Sequence, residues 1–480
     1  MMQSRRDSER DAMTPRAAAW IVVGALGWAS ALMAIFWPGL CTNDGAHRLL
    51  VALSMNQPDK APTGDVSSKV FEHVFPPMMS LVAAGVHGVT GSWGVLTLLH
   101  AWWFFASLGV LCVLALGRRR GVALWVVLSL LPCVWNHAVA ILPDAAVSAG
   151  LMTAACCMLW GRGHVMLRVA VCCVGLVVAC GYRYNTMTAL AGVSLCLLVV
   201  AQREQWRAVA GFATAIVLAV VVATGLPRLI AYRPSDVVSP MLAWEHVGAL
   251  KLAGRDDVVE RHSLDDIAGA GATRAAMAKH SWEAFSSVVF GSGAPLPAPA
   301  LRDVAVGERV RQAWWKMVRD EPVLYAKAKL RIWWTMLGAT HQRDFAVIGS
   351  TPPAWVREYG VDVEAPASRR EMRARVNDAG AVFTFATLAG CAPYTWLVVS
   401  VTACAIAWLR RRSSAIDGHA RLDLLRGVLL LVTGWAYYAA FLVYAGSYEW
   451  RYFMPAFVLI VAGVAMMTHA SLRRSFAVAP

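Results

Sequence analysis

The sequence predicts an all-α polytopic membrane protein with about ten transmembrane helices. Three observations predict it. Hydrophobic residues make up 58% of the 480 and charged residues only 15%, against about 25% charged in an ordinary soluble domain. Mean hydropathy is +0.52. The apolar residues also gather into runs of span length, and arginines cluster where those runs end.

Taken in order, the candidate spans are 17–37, 94–116, 121–141, 145–161, 166–182, 186–201, 207–227, 382–409, 427–446 and 452–469. With a cytoplasmic N-terminus carrying Arg5 and Arg6, the arginines at 118–120, 162–168, 410–426 and 473–474 fall on the same side. So does the turn from Gln202 to Arg207. That is the positive-inside pattern, and it predicts that both termini are cytoplasmic. The chain divides into an N-terminal transmembrane core, 1–227, a large outer segment, 228–381, and C-terminal transmembrane helices, 382–480. Residues 38–93 form a long first outer loop. Its second half, "VFPPMMSLVAAGVHGVTGSW", is apolar but broken by Pro76 and Pro77, so it reads as an interfacial helix. A second interfacial helix is expected over 321–338, "EPVLYAKAKLRIWWTMLG", with Trp333 and Trp334 at headgroup level. Between them "GSGAPLPAPALRD", 291–303, reads as a linker. No internal repeat of the kind that builds paired-half transporters is found.

A formal net charge of +14 could suggest nucleic acid. The basic residues sit in short clusters between spans, however, and not on one continuous face. Of the eleven cysteines all but Cys41 lie inside apolar runs. Neither a disulfide framework nor a zinc site is therefore indicated. The first apolar run is too long for a signal-peptide h-region and has no clear cleavage site.

On this threading, polar residues converge on the outer ends of the spans. Asp44 follows the first span in "CTNDGAHRLL", beside His47 and Arg48. Asp144 lies in "ILPDAAV", where capping of the next helix is the ordinary role. "GYRYNTM" supplies Arg183, Tyr184 and Asn185, and "GSYEWRYFMP" supplies Tyr448, Glu449 and Arg451. Arginine at a helix end commonly snorkels to headgroups. Set among aromatic and amide groups, it also suits a phosphate, to which it offers a planar fork of donors. Lys327, Lys329 and Arg331 give the second interfacial helix a basic face that suits anionic headgroups, and Lys329 is a further candidate for a phosphate. His341 and Arg343, with Asp344, form another polar group in "GATHQRDF", too few for a metal site.

"NDGAHR", "LPDAA", "YRYN", the "EPVLYAKAKLR" helix and "YEWRYFMP", in this layout, resemble the GT-C superfamily of integral-membrane glycosyltransferases. These include protein mannosyltransferases and aminoarabinose transferases. The resemblance implies a GT-C-like fold, a bacterial inner-membrane location and a site on the periplasmic side. It implies a polyprenyl-phosphate-linked sugar as donor and a protein, glycan or lipid hydroxyl as acceptor. It requires no cofactor, while allowing a divalent cation. Many members carry two adjacent acids in the first outer loop, whereas here Asn43 precedes Asp44. Asp44 is assigned as the base from its place, with Asp65 and Glu72 in the same loop as reserves. Arg183, Arg451 and Lys329 are assigned to the donor phosphate. His47, Asp65, Glu72, Asp144, Tyr184, Asn185, His341, Arg343, Tyr448 and Glu449 are assigned to the substrates. No Gly-rich phosphate loop is present, as expected when the sugar arrives already activated. Two rival functions remain: an O-antigen ligase or polymerase using a diphosphate-linked glycan, and a transporter or flippase, which would place charge at mid-membrane depth.

Overall fold

The computed structural model describes residues 13–56, 76–160, 164–204, 206–230, 236, 238–282, 286–289, 293–338, 361, 363–364, 366–386, 392–412, 418–444 and 450–472. Among these residues every regular element is a helix, and the strand-like contact is an isolated bridge between Leu40 and Ala140.

Local chemistry explains where the first helices begin. Helix α1, Pro15–Phe36, starts with proline at its first position, and Thr14 Oγ1 accepts from Ala17 N at 3.1 Å. Helix α2, Asn43–Asn56, follows Thr42, whose Oγ1 accepts from Gly45 N at 3.2 Å. Helix α3, Met78–Thr90, starts directly after Pro76 and Pro77 and stops at Gly91, which has φ +69°. Ser92 caps α4, Trp93–Leu116. The next apolar stretch is split at Pro132 into α5, Arg118–Leu130, and α6, Pro132–Ala138, which are bent by 74°.

The remaining helices of the core are α7, Asp144–Leu159, α8, Val165–Tyr182, α9, Thr186–Leu195, α10, Leu197–Arg203, and α11, Trp206–Ile230. The outer segment holds α12, Ser239–Ala253, α13, Asp256–Arg261, α14, Asp265–Ala268, and α15, Ala272–Lys279. It continues with α16, Ser286–Val289, α17, Ala298–Leu301, α18, Val304–Asp320, and α19, Pro322–Met336. Then come α20, Ala367–Ala386, α21, Pro393–Arg412, α22, Gly418–Tyr444, and α23, Trp450–Leu472.

Six of these, α1, α4, α8, α11, α22 and α23, are long and apolar enough to cross a membrane, and the bent α5–α6 pair would make a seventh. The chain is thus a multi-pass helical protein. The run read at 145–161 folds as α7, which at 16 residues is about 24 Å long, short of a full hydrocarbon core. The run at 186–201 is divided at Cys196 into α9 and α10. The run at 382–409 is shared between α20 and α21, and Pro393 suits the first position of the latter. The segment 321–338 holds helix α19, Pro322–Met336, and the stretch after Pro77 holds α3, Met78–Thr90. Helix α2 was not expected, since its residues read as loop.

Helices α22 and α23 pack along their length, as do α7 with α8, α8 with α11, and α1 with α4. In lipid there is no hydrophobic drive between helices, so close backbone approach through small residues carries much of the packing. A Cβ on Gly150 of α7 would lie 2.3 Å from Gly175 O of α8, and one on Gly463 of α23 would lie 2.7 Å from Gly427 O of α22. Helix α23 is the most buried of the six. By contrast α1 and α11 turn Trp20, Val23, Val217 and Val221 outward, as lipid-facing helices do.

At one end of the bundle the basic clusters meet. Arg120 Nη1 lies 2.7 Å from His469 Nδ1, Arg410 Nη1 donates to Ser471 O at 2.6 Å, and Arg426 Nε donates to Leu159 O at 3.0 Å. Arg168 pairs with Glu204 at 2.8 Å. Asp44 and Asp144, at the starts of α2 and α7, lie at the other end.

Candidate functional site

The site begins with backbone. Leu40 N donates to Val139 O at 3.0 Å and Ile141 N donates to Leu40 O at 2.7 Å, which makes the Leu40–Ala140 bridge parallel. Four residues beyond each bridged residue stands an aspartate, Asp44 and Asp144, each in the first turn of a helix. A carboxylate there faces the positive end of the helix dipole. Two glycines permit the approach. Gly39 holds φ +131°, and a Cβ on Gly45 would lie 2.1 Å from Ile141 O.

Each aspartate meets an arginine from another helix. Arg451, in the first turn of α23, places Nη1 2.8 Å from Asp44 Oδ2. Arg183, between α8 and α9, places Nη2 2.8 Å from both carboxylate oxygens of Asp144. Both guanidiniums lie over the Tyr452 ring, at 5.3 Å for Arg183 and 4.9 Å for Arg451, and Arg451 Nη2 donates to Tyr452 Oη at 3.1 Å. Arg48 stands one turn beyond Asp44 on α2 and is buried, donating to Pro76 O at 3.4 Å and Tyr182 O at 3.5 Å. Tyr182 Oη lies 3.3 Å from His100 Nε2. Tyr437 Oη, on α22, is buried beside Arg183 and Asp144 and has no hydrogen-bond partner among the described residues.

Among the described residues three guanidiniums, those of Arg48, Arg183 and Arg451, gather around two carboxylates, Asp144 fully buried and Asp44 with its side chain 35% exposed. Burial pushes the Asp44 carboxyl up, but Arg451, Arg183 and Arg48 together hold it below its usual value. It is ionised at neutral pH and a weak base while Arg451 is its partner. Burial, with Arg183 nearby, pushes Arg48 down to about 10 against the pull of Asp44 and Asp144. Burial raises Tyr184 to about 12, and Arg48 is near enough to oppose this.

Asp44, Arg183, Arg451 and Asp144 are therefore brought together, and Tyr184 lies within the field of Arg48. His47 is half-buried on α2, and Asn185 sits at the N-cap position of α9, its carbonyl accepting from Thr188 Oγ1 at 2.8 Å. Asp144 does not cap α7 with its side chain, because its carboxylate is committed to Arg183. Lys329 departs from expectation. It pairs with buried Glu245 of α12, which also accepts from Tyr325 Oη at 2.9 Å, so its charge is used inside the outer segment. Asp65, Glu72, His341, Arg343, Tyr448 and Glu449 lie outside the described residues.

Among the described residues no group of three His, Cys, Asp or Glu side chains is placed to hold a metal ion, and both carboxylates lie 2.8 Å from guanidiniums. What the cluster suits is an oxyanion, which guanidiniums bind through charge-assisted forks.

Sequence reasoning missed Arg48, Tyr182, Tyr437 and Tyr452 as site residues. Arg48 had a signal, since an acid and a base four apart share a helix face. That signal is visible only once residues 43–56 are known to be helical.

No protein-family model, curated protein or solved structure matches this chain.

Proposed function

We propose that this chain is an integral-membrane glycosyltransferase. It would move a sugar from a polyprenyl-phosphate carrier to an acceptor hydroxyl on the outer face of a bacterial inner membrane. One observation carries the reading: the guanidiniums of Arg48, Arg183 and Arg451 converge on Asp44 and Asp144, a grouping of fork-shaped donors that the phosphate of such a donor would suit.

The chemistry follows from the pairing. An arriving phosphate competes with Asp44 for Arg451, and loss of that partner raises the basicity of the carboxylate. Asp44 then accepts the proton of the acceptor hydroxyl as its oxygen attacks the anomeric carbon. The bond from that carbon to the phosphate oxygen breaks, and the electron pair leaves with the lipid phosphate. Attack from the face opposite the phosphate inverts the anomeric centre. Arg451, Arg183 and Arg48 meet the growing negative charge in a low-dielectric setting, where such stabilisation is commonly the largest catalytic contribution. Asp144 keeps Arg183 aimed, and the tyrosines line the sugar.

The test uses the full chain in lipid nanodiscs with a panel of polyprenyl-phosphate sugars. The released polyprenyl phosphate is measured by mass spectrometry. Asp44→Asn should lower turnover by about 10²–10⁴-fold, as expected for loss of a positioned base, while polyprenyl phosphate still binds. Normal turnover in that variant removes Asp44 as the base. No release from any donor in the wild type removes the reading.

A further inference from the structure

Buried arginines among the described residues generally have a carboxylate: Arg168 has Glu204, Arg183 has Asp144, Arg426 has Asp423 and Arg451 has Asp44. Arg373 on α20 does not. It is 2% exposed. Its Nη2 donates to Gly39 O at 2.9 Å, while Nε and Nη1 are buried with no hydrogen-bond partner among the described residues. A guanidinium cannot shed its proton at physiological pH, and an uncompensated buried charge is strongly disfavoured.

The surroundings are polar and lie next to the reaction centre. Asn377, one turn on from Arg373, accepts from Asn136 Nδ2 of α6 at 2.6 Å. The Cys41 thiol is close enough to feel the Arg373 charge. Gly39 opens the stretch that carries the Leu40–Ala140 bridge and then Asp44. The helices differ from those of the five-residue cluster, however. Helix α20 packs on α1 and α6, whereas the cluster is built from α2, α7, the end of α8 and α23.

We propose that Arg373 is the centre of a second oxyanion-binding subsite, completed by a phosphate group of a substrate. The first cluster takes the donor phosphate, so this one takes an anionic group on the acceptor. That allocation rests on the function proposed above, but the binding itself does not. A chain that keeps an uncompensated guanidinium under cover holds it for a ligand, because fold stability alone favours an apolar side chain at such a place.

Thermal unfolding of the full chain in micelles tests this, with inorganic phosphate and separately with undecaprenyl phosphate as probes, chloride holding ionic strength constant. The wild type should be stabilised by both. Arg373→Met should unfold at a higher temperature than wild type without a probe, and should lose at least half of the shift given by inorganic phosphate. Its response to undecaprenyl phosphate should persist, which assigns the subsite to the acceptor. Loss of the undecaprenyl phosphate response instead would keep the oxyanion site and assign it to the donor. Unchanged responses to both probes, or no response in the wild type, overturn the proposal. Should Arg373→Met not fold, Arg373→Gln carries the same comparison. Failure of both to fold makes the residue structural and ends the proposal. None of these readouts depends on sugar transfer.

Discussion

Asp144 is the residue on which the geometry makes its most quantitative demand. Its side chain is 0% exposed and that of Arg183 is 12% exposed. Asp144→Asn removes the carboxylate and keeps the shape. Arg183 is then left with a buried Nε that already has no acceptor, and with Arg451 nearby as a like charge. Breaking a buried pair by removing one partner costs about 3–5 kcal/mol. Arg183→Gln should cost a similar amount, since it strands the carboxylate instead. If the two acted independently, the double variant would lose about 6–10 kcal/mol. Because they act on each other, the double variant should fall short of that sum by about 2–3 kcal/mol. Reversible unfolding in mixed micelles, followed by tryptophan fluorescence, measures all four corners of the cycle. Additivity to within about 0.5 kcal/mol, or an Asp144→Asn protein as stable as wild type, would refute the placement of this pair in a dry site.

Two further outcomes follow from the same structure. Gly45→Ala puts a Cβ 2.1 Å from Ile141 O and should cost about 1–3 kcal/mol as an overpacked contact. By shifting Asp44 it should lower transfer by up to about 10²-fold. Gly27→Ala, with nothing within 4 Å, is the control, and equal activity in the two variants would contradict the close approach. In the outer segment, burial pushes His246 down to about 4, and burial with Lys251 nearby does the same to His280. The unfolded chain therefore binds protons that the folded chain does not as pH falls from about 6.5 to about 4. Stability should be full above that window and should decline through it, by at most about 1.4 kcal/mol per pH unit for each histidine. His246→Gln should flatten the decline, and a flat wild-type profile would show these histidines to be solvated.

The membrane class was legible because it is written in quantity: apolar runs and arginine clusters are properties of whole segments. Asp44, Arg183 and Arg451 were legible because each lies at a segment end, where position in the sequence implies position in depth. Pairing was not. Nothing local to "LPDAA" says that Asp144 binds Arg183, 39 residues away, and not the N–H groups of its own helix. The pairing of Lys329 was hidden for the same reason, since Glu245 lies 84 residues off on another helix. Helix α2 was hidden by its composition. Asn, Asp and Gly at its start favour loops in isolation, and burial of Leu49, Leu50 and Leu53 decides in favour of helix. Arg373 could not be found at all, because a missing partner is visible only in three dimensions.

The bridge between Leu40 and Ala140 acts as a ruler. Both acidic groups are set by counting the same number of peptide units from a shared mark, so the gap between them is gauged by main chain and not by the bulk of any side group. Replacements along these two short tracts should be absorbed when size is kept. A single inserted or deleted unit in either would swing one acid about 100° around its axis and dismantle the pairings together. Spacing, more than spelling, is what this part of the chain must preserve.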